Sequence, residues 1–160
     1  MLLHILSIHP FMNLEEEIKQ TKFRSEFHKL AINILFTSKW IEQKNMEVLK
    51  PYKISGQQFN ILRILRGQHP KCSTITTLQE RMLDKMSNAS RLVEKLRQKG
   101  LVERHENDED RRQVKVTITE TGLKILDELD EKLYAQEVGI CTLTNEEANS
   151  INQLLDKLRG

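Results

Sequence analysis

The most constraining feature of the chain is the order of residue types between Thr74 and Thr119. A short helical segment, Thr76 to Met82, is followed by the turn Leu83-Asp84-Lys85-Met86 and then by Ser87-Asn88-Ala89-Ser90-Arg91-Leu92-Val93-Glu94-Lys95-Leu96. In this second segment Met86, Ala89, Leu92, Val93 and Leu96 recur at three- and four-residue steps, so one face of a helix is apolar. The opposite face holds Ser87, Asn88, Ser90, Arg91, Lys95 and Gln98, and Gly100 ends the helix. Leu101 to Arg104 and Val114 to Ile118 alternate as half-buried strands do. They flank the charged tip Asn107-Asp108-Glu109-Asp110-Arg111-Arg112, which completes a basic β-hairpin. Two short helices, a tight turn and such a hairpin make a winged helix-turn-helix. The expected fold class is therefore mainly α with a small β-wing: a winged helix-turn-helix domain plus a helical dimerisation region.

The flanking sequence reads as helix. Asn13 and Glu16 have capping-box spacing, and apolar positions from Leu14 through Ile18, Phe27, Leu30, Ile34, Ile41 and Val48 predict one long helix to about Lys50, stopped by Pro51. Ser55 with Gln58 starts a second helix, with Phe59, Leu62 and Leu65 inward and Gly67 at its end. Thr76 with Gln79 starts the third, and the loop between them runs from Gln68 to Ser73. After the wing, Thr119 caps a helix through Leu126, Leu129 and Leu133 that Gly139 is expected to interrupt. Thr144 with Glu147 caps the last helix, with Ile151, Leu154, Leu155 and Leu158 inward. The expected organisation is an apolar tail over 1–12, a dimerisation helix over 13–54, the winged head over 55–119 and dimerisation helices over 120–160. The tail is expected either to pack or to precede a true start at Met12.

Charge separates along the chain although the net charge is only +2. Residues 61–112 hold 12 Lys/Arg against 8 Asp/Glu, and residues 113–160 hold 5 against 9. Positive potential is thus concentrated where a polyanion would meet the head. Ser87, Asn88, Ser90 and Arg91 suit a major groove: small side chains let the backbone approach, and Asn or Arg can make paired hydrogen bonds to base edges. Thr76, Lys85 and Lys95 complete the candidate contacts on the helices. Arg111 and Arg112 are the candidates on the wing, and Asp110 supports them by holding an arginine extended through a bidentate pair. The bland alternative is a solvated helix face and a turn rich in Asp and Asn for conformational reasons.

The segment Leu78 to Gly122 resembles the MarR family of bacterial transcriptional regulators. The resemblance lies in Ser90-Arg91-Leu92-Val93-Glu94-Lys95-Leu96, Lys99-Gly100-Leu101-Val102-Glu103-Arg104, Asp110-Arg111-Arg112 and Val116-Thr117-Ile118-Thr119 followed by Gly122. It implies a homodimer built from the first and last helices, two winged heads on a pseudo-palindromic operator in double-stranded DNA, and control by a small ligand, often anionic or aromatic in the family, or by an oxidant; a repressor is expected. It also implies a recognition helix over Ser87 to Lys99 and a wing pair of Asp110 and Arg112. Cys72 and Cys141 lie far apart without metal-ligand spacing, which fits a reducing cytoplasm.

Other classes fit less well. No Gly-rich phosphate loop, metal-spaced His/Cys/Asp cluster or nucleophile motif is present, so an enzyme is not expected, nor a metal or other cofactor. No apolar run reaches the ~20 residues that a membrane span needs. Two rival readings are a winged helix that binds protein and a thiol-based sensor acting through Cys72 or Cys141.

Overall fold

The computed structural model describes residues 13–106, 114–140 and 142–160. The tail before Asn13, the wing tip with Asp110, Arg111 and Arg112, and Cys141 lie outside the described residues. The chain divides after Gln43 into two compact units.

In the first unit, the single long helix expected from Leu14 is two helices. α1 spans Leu14–Glu17, and α2 begins at Glu26 and runs to Leu49. The break follows from local chemistry. Lys19 takes the left-handed conformation (φ 53°) just after α1, which no helix can propagate through. Ser25 then restarts the helix, its hydroxyl accepting from the His28 N–H at 3.2 Å. The apolar stripe lapses after Ile18: the next apolar side chain, Phe23, is five residues on, out of helical register with Ile18 although in register with Phe27. The Asn13/Glu16 capping box does not form, because the Asn13 side chain accepts no cap hydrogen bond. A Lys29–Glu15 ion pair joins the two helices.

The second unit contains the head. A short 3-10 turn, Lys50–Tyr52, leads to α3, Gly56–Arg66. Its capping box forms as the sequence predicts: Gln58 N–H donates to Ser55 Oγ at 3.2 Å and Ser55 N–H donates to Gln58 Oε1 at 3.0 Å. β1 (Ser73–Thr74), α4 (Ile75–Arg81), α5 (Ala89–Gln98), β2 (Val102–Glu106), β3 (Val114–Ile118), α6 (Glu120–Ile140) and α7 (Asn145–Arg159) follow. The sheet order is β1-β3-β2, antiparallel throughout, with Ser73 opposite Val116 and Val102 opposite Ile118. β1 falls in the segment expected to be loop. Two residues carry no alternation to detect, and their pairing with β3 supplies the order.

α4 starts earlier than expected. Its cap is Thr74, whose hydroxyl accepts from Thr77 N–H at 3.1 Å, rather than Thr76. α6 continues through Gly139 to Ile140 and is not interrupted there. A lone glycine in a helix costs about 1 kcal/mol relative to alanine, too little to break a 21-residue helix. Thr144 and Glu147 form the capping box expected of α7.

The core is built around α3. Ile61, Leu62 and Leu65 pack with Leu78 and Met82, with Val93 and Leu96 of α5, with Val102 and Val116 of the sheet, and with Leu126 and Leu129 of α6. Met86, expected inward, is 94% exposed, because the helix begins three residues later and Met86 sits in the turn. Thr119 joins the wing to α6. Its hydroxyl donates to the Gly100 carbonyl at 2.8 Å and accepts from Gly122 N–H at 3.1 Å. Gly122 is required here: a Cβ would lie 2.4 Å from the Leu101 carbonyl oxygen and 2.7 Å from Ile118 Cγ1. Gly122→Ala should therefore lower stability by ~1–3 kcal/mol, the range typical of overpacking. Urea unfolding checks this, and an unchanged midpoint would show that the junction yields.

Candidate nucleic-acid interface

The apolar face of α5 decides what its other face can do. Ala89, Val93 and Leu96 are buried, so Ser90, Arg91 and Lys95 point outward and are exposed. Their side chains make no hydrogen bond or ion pair among the described residues. These cationic and hydroxyl donors are therefore available to an outside acceptor.

The turn between α4 and α5 is held by groups the sequence does not advertise. Gln79 donates to the Lys85 carbonyl at 2.9 Å and accepts from Ala89 N–H at 3.1 Å, spanning the turn with one side chain. Asn60 of α3 accepts from Leu83 N–H at 3.0 Å. Asp84 accepts from Met86 N–H at 3.0 Å and from the Ser87 hydroxyl at 2.6 Å. The Ser87 hydroxyl bond, then the Met86 amide, hold the Asp84 carboxyl below its usual value. Gln79 and Asn60 escaped sequence reasoning because their partners are main-chain groups brought near only by the fold.

The candidate residues fare differently in this frame. Asn88 is the N-cap of α5: its Oδ1 accepts from Arg91 N–H at 2.9 Å. Helix geometry therefore begins at Ala89 and ends at Gln98, inside the expected Ser87 to Lys99. Asn88 stays exposed and keeps its amide N–H groups outside that bond. Ser87 is half-buried and bonded to Asp84. Lys85 is exposed, its ammonium against the Glu80 carbonyl. Thr76 is exposed in the first turn of α4. A groove of about 580 Å³ runs along α5, lined by Ser90, Arg91, Glu94, Lys95 and Arg104 among others. The structure thus brings Asn88, Ser90, Arg91 and Lys95 to one groove, and sets Thr76, Lys85 and Ser87 apart from its lining.

Glu94 organises the side of that groove nearest the wing. Its carboxylate takes two bonds from Arg97, at 2.9 and 3.1 Å, one from Gln98 at 3.3 Å and one from Arg104 of β2 at 3.2 Å. The Arg97 guanidinium, with Arg104 and Gln98 beside it, pulls the Glu94 carboxyl down to about 2 from the usual 4.5. A helix carboxylate thereby ties α5 to β2 at the base of the wing. Cys72, the thiol candidate within the described residues, is exposed beside β1.

Comparison with known proteins gives the same architecture. The model of the MarR family matches residues 52–113, from the 3-10 turn ahead of α3 to just before β3. Residues 52–113 thus carry a MarR-family domain. The transcriptional regulator PapX of Escherichia coli is 23% identical over 133 residues, covering 82% of this chain and 80% of PapX. A cysteine-to-serine mutant of MarR from Escherichia coli, solved with operator DNA, is 25% identical and superposes with a TM-score of 0.72 over 86% of this chain and 99% of its own. BpsR of Bordetella bronchiseptica, whose DNA binding is regulated by 6-hydroxynicotinic acid, shares the fold at 19% identity, with a TM-score of 0.71 over 81% of this chain and 91% of its own. With that domain, the chain is a DNA-binding transcription regulator of the MarR type.

Two measurements check this geometry. Asn88→Ala should cost stability of about 0.5–2 kcal/mol through loss of the cap, whereas Asn88→Ser should restore most of it. Any operator affinity still missing in Asn88→Ser then reports on the lost amide. In an NMR titration the Glu94 carboxyl should protonate near pH 2. Its folded pKa is depressed, so the stability it lends is complete above the unfolded value and is lost as pH falls through the folded one. Titration at the usual 4.5 would break the link to Arg97 and Arg104.

Proposed function

We propose that this MarR-family regulator is a homodimeric repressor that binds a pseudo-palindromic operator and is released by a small anionic or aromatic effector. The observation that carries the DNA mode is the outward face of α5, where Ser90, Arg91 and Lys95 are exposed without internal partners among the described residues. Asn88, Thr76, Lys85, Ser87, Arg111 and Arg112 are the remaining proposed contacts, with Asp110 supporting the wing.

Uncovered apolar surface supports the dimer. In α7, Leu154 and Leu158 are 65% and 58% exposed, and no residue of that helix is buried. Tyr134 and Val138 late in α6, and Phe27, Leu35 and Ile41 in α2, are exposed as well. Apolar surface of this extent marks an interface. The proposed division is a dimerisation helix over 13–54, the head over 55–119 and further dimerisation helices over 120–160. No described helix is long and apolar enough to cross a membrane, and the proposed place of action is the cytoplasm. Control of BpsR by 6-hydroxynicotinic acid supports an effector of similar chemistry here.

Operator affinity should fall steeply with salt, because lysine and arginine contacts release counterions from phosphates. Arg91→Ala should weaken operator binding by about tenfold or more without lowering the melting temperature, as read by mobility shift beside thermal unfolding. Half-sites should lie about one helical turn, ~10 bp, apart. A monomer in sedimentation at micromolar concentration, or unchanged affinity in Arg91→Ala, would refute the corresponding part.

A further inference from the structure

The head covers its large apolar side chains with two exceptions. Over 55–119, Leu83 and Met86 alone stand exposed among the described residues, at 88% and 94%. Both belong to the turn between α4 and α5. The apolar residues invoked for the dimer belong to α2, α6 and α7 instead.

This exposure is imposed by an anchored turn. Leu83 N–H donates to Asn60 at 3.0 Å, Gln79 donates to the Lys85 carbonyl at 2.9 Å, and Met86 N–H donates to Asp84 Oδ1 at 3.0 Å. Ser87 N–H donates to the Asp84 carbonyl at 3.3 Å. Each residue from Leu83 to Ser87 thus has a main-chain group in a hydrogen bond. Met82, just before, already fills the core at 1% exposure. Neither Leu83 nor Met86 can tuck inward without breaking these bonds. A side chain of this kind left in water gains nothing from the hydrophobic effect. A lone exposed leucine is ordinary surface; two apolar side chains held outward by one anchored turn are not.

What adjoins the turn identifies the partner. Met86 is two residues ahead of Asn88, the N-cap of α5, and Asn88, Ser90 and Arg91 are exposed beyond it. In a helix-turn-helix the N-terminal residues of the second helix meet base edges, so a side chain just ahead of that N-terminus meets the same groove. The apolar group that the major groove presents is the C5-methyl of thymine. Methionine is unbranched, flexible and polarizable, which suits packing on such a methyl.

We propose that Met86 is a specificity-determining residue that packs on the C5-methyl of a thymine in the major groove beside the N-terminus of α5. This rests on the reading of α5 as the helix that enters the groove. The contact favours thymine over cytosine, which carries only hydrogen at C5, and adds an apolar reader to the polar pair Asn88 and Arg91.

The test uses the full-length chain and a duplex that it selects from a random pool. One thymine at a time is replaced by deoxyuridine, which keeps every hydrogen-bonding group and removes only the methyl. In mobility shift, wild-type binding should weaken about fourfold at one thymine of each half-site, the burial free energy of one methyl group. Met86→Ala should bind the unmodified duplex more weakly by at least that factor, lose nothing further on the deoxyuridine duplex, and bind scrambled DNA as the wild type does. Additive losses, equal losses on selected and scrambled DNA, or no sensitive thymine overturn the proposal. An unchanged melting temperature shows that Met86→Ala is folded; should it melt early, Met86→Gln, of similar length, takes its place under the same criteria. Arg91→Ala separates the two ways of failing. Full affinity in Arg91→Ala overturns the reading of α5 and the methyl contact with it. Weakened binding in Arg91→Ala, with deoxyuridine affecting wild type and Met86→Ala alike, overturns the methyl contact alone.

Discussion

The burial of one face of α5 governs the rest of the head. Ala89, Val93 and Leu96 are at most 1% exposed, and at 3.6 residues per turn their burial fixes the direction of every other side chain on that helix. Each apolar group buried contributes roughly 1.5–3 kcal/mol for a residue of valine or leucine size. The hydrogen bonds at the ends are worth about 1 kcal/mol each. Packing therefore sets the azimuth of the helix, and Asn88, Gln79 and Gly100 set only where it starts and stops. Gly100 takes φ +70°, the left-handed conformation in which a glycine carries no steric penalty.

With the azimuth set, the charges on α5 divide into two groups. Glu94 faces the wing, so it gathers Arg97, Gln98 and Arg104 into one closed network. Arg91 and Lys95 fall outside its reach and stay unpaired among the described residues. The surviving positive potential thus comes from an arrangement that neutralises part of a basic helix and leaves the part next to the groove. Near-parity of total charge hid this, since the net +2 of the chain is spread over 160 residues.

Elements whose signal is local were legible in the sequence. The Ser55/Gln58 and Thr144/Glu147 boxes need only residues three apart, and both form. The β3 alternation and the α5 stripe likewise carry their own period. What failed depended on competition or on distant partners. Thr74 and Thr76 are both sound caps, and pairing of β1 with β3 favours the earlier one. The long first helix looked continuous because apolar residues resume after the gap, although the five-residue step from Ile18 to Phe23 is out of helical register. Met86 extended the stripe on paper, but the Asn88 cap lies after it and leaves it outside. At the candidate site, the outward residues of α5 followed from periodicity. Gln79, Asn60 and the Arg104–Glu94 tie did not, because each joins segments that only tertiary packing brings together.

The two parts of the second unit differ in how they are held. The head closes on itself: α3 and α6 are joined by Leu126 and Leu129 in the core and by Arg66 bridging Asp130 at 2.6 Å. Tyr52 adds a relay, donating to Glu128 at 2.8 Å and accepting from Lys132 at 2.6 Å. α7 has no such support among the described residues. Its 15 residues include a complete capping box, yet none is buried. An isolated helix of that length is marginal in water, because nucleation is unfavourable and propagation adds little per residue. Its leucine stripe also exceeds what solubility alone would favour. The physical requirement is cover from outside the described residues of the chain. That requirement does not bear on the head, whose core is complete, so the head can present α5 whatever covers α7. Coupling between the two must pass through α6, whose first half belongs to the core at Leu126 and Leu129 and whose later Tyr134 and Val138 are exposed. A change in what covers the far half of α6 reaches α5 only by moving that buried half, which packs on the same core as Val93 and Leu96.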